Sequence, residues 1–291
     1  MQKILITGAT GFVGSEVAKF LFNKFPKSKI TIVGRKIKKW NHKIVKEKII
    51  LVDLFKDNLE KLGNFDYIIH CASILDNSDI DYSWNDYYDN NVFVINKILN
   101  TIKFKKLIYI SSGSIFSSNK SIPEPNNSYG LSKYIAEKIL EFYSLKKVKQ
   151  IIIIRFPIIM GVNSRNNIVD DFAKSIIKNV DIEIYGNGEL KRNIIHIDEV
   201  VKIISNICFK TKFDKIFEVF NAGSSRSMTI SQIALLIKKI LKSNTKIIRI
   251  DKKRRANYDS IINVKKIQKI IDFKLITTQK SVTKLISQKY L

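Results

Sequence analysis

The sequence predicts an α/β fold: a doubly wound parallel sheet followed by a smaller, mixed lobe at the C-terminal end. Three features of the 291 residues point there. Through the first 155 residues, short β-branched runs alternate with longer amphipathic stretches. A glycine-rich turn follows the first of those runs without a gap. After about residue 160 the alternation loosens into helix-like segments separated by only short apolar runs.

The predicted strands are KILIT (3–7), KITIV (29–33), KIILV (48–52), YIIH (67–70), KLIYIS (106–111) and QIIIIR (150–155). Each is a continuous apolar run, as expected of strands in a parallel sheet covered on both faces. FVGSEVAKFLFNKF (12–25), WNDYYDNNVFVINKILNTI (84–102) and YGLSKYIAEKILEFY (129–143) carry helical patterns. Right-handed strand–helix–strand units of this kind wind a sheet with helices on both faces. Further helices are predicted near 167–179, 198–207, 229–242 and 263–271. The division expected is 1–160 for the sheet domain and 161–291 for a second lobe. With no repeat and no low-complexity linker, that lobe is expected to pack on the first domain and interleave with it.

Hydrophobic residues make up 45% of the chain, ample for a core. MQKILITGAT runs straight into a strand-like segment, so no signal peptide is expected. The longest apolar run, IIIIRFPIIM (151–160), is too short to span a bilayer and contains an Arg and a Pro, so no membrane partner is expected. Cys71 and Cys208 are far apart and show no ligand spacing. Neither a disulfide nor a metal site is expected, and a cytoplasmic location fits. The net charge of +25, from 51 Lys+Arg against 26 Asp+Glu, could mark a nucleic-acid partner. The excess is nearly all lysine spread along the chain beside many Ile and Asn, as AT-rich codon usage would produce. Nucleic acid is therefore not the expected partner. The one dense basic stretch, GRKIKKWNHKIVKEK (34–48), reads as a solvated face or a phosphate patch.

Gly8, Gly11 and Gly14 in GATGFVG follow the first predicted strand and open a predicted helix. That placement makes the triplet a dinucleotide turn of the Rossmann type. Gly8 permits the tight turn, Gly11 lets backbone approach a pyrophosphate, and Gly14 allows close helix–strand packing. The second strand ends in TIVGRK. NAD binders usually carry a carboxylate there for the ribose 2′-hydroxyl, whereas an Arg nearby suits a 2′-phosphate. Gly34 holds the acidic position and Arg35 and Lys36 follow, so NADP(H) is the preferred cofactor, with NAD(H) possible. Asp53 and Leu54, after the third strand, are placed to meet the adenine ring; a surface turn is the competing account.

Tyr129 and Lys133 stand four apart, which on a helix puts both on one face. The spacing alone decides nothing, because Tyr134/Lys138 and Tyr143/Lys147 share it. Tyr129 differs in following the turn IPEPNNS, at a helix start near the sheet edge where ligands bind.

Taken in order, TGATGFVG (7–14), DL (53–54), IIHCAS (68–73), YISSGSIF (109–116), YGLSK (129–133) and RNIIHIDEVV (192–201) resemble the extended short-chain dehydrogenase/reductase family, the NAD(P)-dependent epimerase/dehydratase group. The resemblance covers nearly the whole chain. It implies a Rossmann domain for the cofactor and a C-terminal lobe for a nucleotide-diphosphate sugar. It implies Ser112 as the catalytic Ser/Thr, Tyr129 as acid/base and Lys133 as the ribose-binding lysine. Cofactor contacts are implied at Gly8, Thr10, Gly11, Phe12, Val13 and Gly14, at Arg35, Asp53 and Leu54, and at Cys71, Ala72 and Ser73. Asn91, Tyr129, Lys133 and Phe156 complete that set. Ser112 and Arg192 are implied on the substrate, Arg192 at the diphosphate. His70 and His196 are read as structural.

Departures from the family pattern narrow the chemistry. Sugar 4,6-dehydratases of the group carry an acidic pair just after the catalytic Thr, where this chain has Gly113 and Ser114. Dehydration is therefore not expected, nor is double 3,5-epimerisation, whose Cys would fall near Gly113. Ile158 stands where relatives often have a diphosphate-contacting Asn, although Arg155 and Pro157 keep the flanking pattern. The leading expectation is NADP(H)-dependent reduction of a keto group, at C4, of a nucleotide-diphosphate sugar for surface polysaccharide. An NAD-dependent 4-epimerase and a non-catalytic dinucleotide sensor are the alternatives. A homodimer through the helices at 84–102 and 129–143 is possible.

Overall fold

A computed structural model describes the chain apart from residues 39–40, 77–79, 118–121, 147–148, 165–166 and 252–257. The elements begin β1 (Lys3–Thr7), α1 (Phe12–Lys24), β2 (Lys29–Gly34), α2 (Lys43–Lys48), β3 (Ile49–Leu51) and β4 (Phe65–His70). Next come α3 (Trp84–Tyr87), α4 (Val94–Thr101), β5 (Phe104–Ser112), α5 (Ser128–Ser144), β6 (Gln150–Phe156), β7 (Ile158–Met160) and α6 (Ile168–Ile177). They continue with β8 (Ile182–Tyr185), β9 (Lys191–Arg192), β10 (Ile194–His196), α7 (Ile197–Ser205) and β11 (Phe217–Asn221). The last are β12 (Met228–Thr229), α8 (Ile230–Ile240), β13 (Ile247–Ile250), α9 (Lys265–Gln268) and α10 (Thr278–Lys289).

Seven strands form one sheet in the order β11-β6-β5-β4-β1-β2-β3. β1 pairs in parallel with β2 on one side and β4 on the other, so Thr7 lies opposite both Val33 and His70. Chain order reverses at β1, which makes the C-terminal ends of β1 and β4 the switch point where a doubly wound sheet opens its ligand crevice. The buried runs do what their composition predicts. Ile68 of β4, Leu107 and Tyr109 of β5, and Ile151 and Ile153 of β6 are sealed under Ile95, Ile98 and Leu99 of α4 and Ala136 and Leu140 of α5.

The predicted helix at 84–102 is realised as α3, a π-helical turn over Tyr88–Phe93, and α4. A π turn carries one residue more than an α turn and so rotates the side chains that follow it. Here it lies at Asn91, which is 1% exposed. Three further elements differ from the sequence expectation. FEVFN becomes β11, the seventh strand, only one of whose residues is fully buried, so its pattern does not stand out in sequence. α10 has the polar sequence TQKSVTKLISQK, and only Val282, Leu285 and Ile286 give it an apolar stripe. The helix predicted over 263–271 shrinks to the four residues of α9. Part of the basic stretch at 34–48 forms α2, and residues 39 and 40 of it lie outside the described residues.

The chain groups into two compact units. The first comprises Met1–Ile115, Pro125–Arg155 and Val201–Phe220, and the second Phe116–Glu124, Phe156–Val200 and Asn221–Leu291. The second has its own core, in which Phe172, Ile182, Ile184 and Ile194 meet Ile233 and Ile237 of α8 and the apolar stripe of α10. Its strands form three two-stranded pairs, β10 with β7, β12 with β9 and β13 with β8. Among the described residues no helix is long and apolar enough to cross a membrane.

Leu107 is 0% exposed in the middle of the sheet. Leu107→Ala removes buried methyl groups that nothing nearby can replace, an expected cost of about 2–5 kcal/mol. The check is a lower denaturant midpoint at unchanged m-value.

Candidate active site

The glycine turn is built by close approach. Gly8 has φ +67°, and a Cβ there would lie 2.6 Å from the Ala72 nitrogen. A Cβ on Gly14 would lie 2.3 Å from the Gly8 oxygen, so α1 and the end of β1 meet at a distance only glycine permits. Gly11 is the N-cap of α1 and no side chain caps the helix, which leaves the amides of Phe12, Val13 and Gly14 at a bare helix N-terminus. A Cβ on Gly11 would meet only the Gly8 oxygen, at 3.1 Å. Uncapped amides beside a residue with no side chain fit the pyrophosphate of a dinucleotide.

The end of β2 is shaped by Thr10. That residue is buried, and a Cβ on Gly34 would lie 2.8 Å from its Oγ1 and 2.9 Å from its Cγ2. A carboxylate at position 34 would therefore need Thr10 to move. Arg35 is exposed and donates from Nη1 to Asn90 Oδ1 at 3.1 Å. Asp53 accepts the Phe55 amide at 3.0 Å and so closes its own turn, while Leu54 joins the core with Val33, Val52 and Leu59. Lys97 of α4 holds this loop by donating to the carbonyls of Phe55 and Asp57, both at 2.7 Å.

At the end of β4, Thr7 Oγ1 lies 2.8 Å from His70 Nδ1 and accepts the Ala72 amide at 3.3 Å. Burial pulls the pKa of His70 down to about 3, with the nearby Lys133 charge as a smaller cause. Burial likewise pushes the Cys71 thiol up to about 12. Asn91 spends its amide on structure. Its Oδ1 accepts Ile74 N at 2.9 Å and Ser73 Oγ at 3.0 Å, and its Nδ2 donates to Ile74 O and Ser132 Oγ, each at 3.0 Å. The π turn thus ties the β4 loop to α5.

Tyr129 is the second residue of α5, a helix capped by Asn127 through its Oδ1 to the Gly130 amide at 2.7 Å. It is half-buried and packs on Tyr87 with ring centroids 6.4 Å apart. Burial raises its pKa to about 12, and the Ser112 side chain pulls against that rise. Ser112 also accepts the Ser114 amide at 3.1 Å. One turn along, Lys133 is 2% exposed. Its Nζ donates to the Ile110 carbonyl at 2.7 Å and stands 4.2 Å from the Tyr109 ring centroid. Burial lowers its pKa to about 7, opposed by the charge of Glu137. The structure therefore brings Ser112, Tyr129 and Lys133 together at the β5–α5 contact. Tyr134 and Tyr143 lie farther along the same helix, and Lys147 is outside the described residues.

Phe156 and Arg192 belong to the second unit. Phe156 is 1% exposed. Arg192 donates from Nη1 to the carbonyls of Lys191 and Tyr258, at 3.0 and 2.9 Å, and burial pulls its pKa below the usual arginine value. In the same unit His196 is buried and its Nε2 lies 3.1 Å from Gln288 Oε1. Sequence reasoning did not single out Tyr87, Tyr109 or Glu137. Of these only Glu137 left a signal, its place eight residues after Tyr129 on the same helix face.

His70 generates a pH dependence of stability. With its folded pKa near 3 and its unfolded value near 6.5, the unfolded chain takes up a proton that the native chain refuses. Stability from this residue is complete above about pH 6.5 and falls as pH drops toward 3, by on the order of 4 kcal/mol. His70→Gln should flatten the unfolding free energy over that window relative to the parent, measured by urea titration at successive pH values.

The model of the NAD dependent epimerase/dehydratase family matches residues 4–223. A dTDP-D-glucose 4,6-dehydratase of Dictyostelium discoideum is 29% identical over 271 residues, covering 80% of this chain, which spans 61% of that protein. A UDP-glucose 4-epimerase of Mycoplasma genitalium is 26% identical over 94% of this chain and 92% of its own. Among solved structures, UDP-glucuronic acid 4-epimerase from Bacillus cereus, in complex with UDP-glucuronic acid and NAD, superposes with a TM-score of 0.84. It is 21% identical and covers 98% of this chain and 99% of its own. UDP-N-acetylglucosamine 4-epimerase from Methanobrevibacter ruminantium also gives 0.84, at 23% identity over 98% and 97% of the two chains. With its family model matched across the glycine turn, the Tyr–Lys helix and most of the sheet, the chain belongs to the NAD-dependent epimerase/dehydratase family.

Proposed function

We propose that this chain is a nucleotide-sugar 4-epimerase working with a tightly held NAD, exchanging hydride at C4 of a nucleotide-diphosphate sugar. The observation that carries the reading is the Ser112–Tyr129–Lys133 cluster at the β5–α5 contact, with Gly113 and Ser114 beside it offering no carboxyl group for elimination. Its likeness to proteins named as 4-epimerases supports the choice within the family.

The residues divide the work. Gly8, Gly11 and the first amides of α1 would hold the pyrophosphate, and Lys133 the nicotinamide ribose. When bound, the dinucleotide supplies a hydride acceptor and then donor. Tyr129 would hold and exchange the proton of the C4 hydroxyl. A phenol near 12 is a poor base at neutral pH, so it needs positive charge close by. Lys133, one turn away, provides an ammonium. Ser112 donates to the substrate oxygen where negative charge develops. Arg192 is the proposed cation for the diphosphate.

A second reading, an NADPH-dependent ketoreductase of a 4-keto nucleotide sugar, is favoured by one observation. A side chain at position 34 would require Thr10 to shift, and Arg35 follows it on the surface. Either activity would supply sugar nucleotides for surface polysaccharide.

Purified protein is expected to release NAD on denaturation and to interconvert C4 epimers of a UDP-sugar with no net change in nicotinamide absorbance. Stoichiometric consumption of NADPH by a 4-keto substrate, without epimerisation, would replace this reading with the second. In that case Arg35→Ala should raise KM for NADPH about tenfold and leave NADH unchanged, since the guanidinium serves only the 2′-phosphate. Under either reading Tyr129→Phe should lower kcat by about 10²–10⁴-fold while dinucleotide binding, followed by calorimetry, stays within about threefold.

A further inference from the structure

A buried acid lies one turn beyond Lys133. α5 sets Tyr129, Lys133 and Glu137 at successive four-residue steps on one face. Glu137 is 3% exposed. Its Oε1 accepts Ser111 Oγ at 2.5 Å and Arg155 Nε at 3.0 Å, and its Oε2 accepts Arg155 Nη2 at 2.6 Å. Ser111 stands between the two β5 residues the cluster uses: Ile110, whose carbonyl receives Lys133, and Ser112. One carboxylate therefore joins β5, α5 and β6 immediately behind the cluster. We propose that Glu137 is a positioning residue for catalysis, anchoring β5 through Ser111 and sustaining the ammonium of Lys133, with Arg155 as the counter-ion that limits its effect.

The charges around Lys133 make Glu137 the decisive one. On its own helix Lys133 feels the charge of Glu137, from β5 it meets Tyr109, and from the end of β4 it interacts with His70 and Cys71. Burial keeps Tyr109, Tyr129 and Cys71 protonated and His70 neutral at neutral pH. Among the described residues facing Lys133, Glu137 is then the carboxylate, and Arg155 of β6 is its ion-pair partner. An ion pair buried only for stability would be weakly justified, because desolvation offsets most of its attraction.

The inference rests on Lys133 serving Tyr129, but it is tested in the full chain without substrate, so its failure is distinguishable from failure of the epimerase reading. The ε-carbon NMR signal of Lys133, assigned by its loss in Lys133→Arg, is followed against pH. Glu137→Gln should move the Lys133 titration down by about one pH unit or more and Arg155→Met should move it up, since the second unmasks the carboxylate. Ser111→Ala, which keeps both charges, should leave the titration in place. In the loaded enzyme Glu137→Gln should lower kcat about tenfold at neutral pH with KM little changed, and the alkaline limb of the kcat profile should shift with the NMR titration. An unmoved Lys133 titration in Glu137→Gln, or shifts of the same sign in the two charge variants, would overturn the proposal. If Glu137→Gln alone does not fold, the double variant Glu137→Gln/Arg155→Gln removes both charges together. It should still shift the titration down, because the lost carboxylate is nearer than the lost guanidinium, and no shift there would overturn the proposal equally.

Discussion

The start of α5 lies so close to the end of β5 that a Cβ on Gly130 would stand 2.2 Å from the Ser114 carbonyl oxygen. The candidate chemistry depends on that contact. With the helix this near, Tyr129 reaches Ser112, Lys133 reaches the Ile110 carbonyl, and Glu137 reaches Ser111. Three consecutive residues of β5 are thus each met by one of three side chains a helical turn apart. A side chain at position 130 would lever the helix off the strand and loosen all three together.

The same contact sets the electrostatics. Bringing Lys133 to a strand carbonyl takes its ammonium almost out of water, and burial alone would drive it toward the neutral amine. The Ile110 carbonyl, the face of the Tyr109 ring and the Glu137 carboxylate offset that cost. Tyr129 feels the same pull toward neutrality, which raises its pKa instead, and charge beside it is what would make it exchangeable. The cluster is therefore a balance between desolvation and a few placed charges. Such balances are characteristic of sites whose protonation states matter.

At the end of β2 the geometry is set by packing. Thr10 fills the space where a side chain at position 34 would begin, so the absence of a carboxylate there is a packing consequence as well as a charge feature. As the proposed pyrophosphate site, the helix N-terminus at Gly11 would be indifferent to which dinucleotide arrives, because both share that group.

Periodicity and glycine placement carried much of this protein on their face. The β-branched runs, the turn at Gly8, Gly11 and Gly14, and the register of Tyr129 with Lys133 all arise from local rules of strand, turn and helix, which act over a few residues and can be read from them. β11 and α10 were not legible for the same reason: their residues become strand and helix by burying against partners distant in the chain, and their own patterns are faint. Tertiary packing alone decided that Asn91 would be spent bridging Ile74 and Ser132, that Leu54 would enter the core, and that Thr10 would block position 34. It also decided that Glu137 would meet Ser111 and Arg155 behind the cluster. Each of those outcomes depends on which side chains share a buried volume, and burial is a property of the folded chain as a whole.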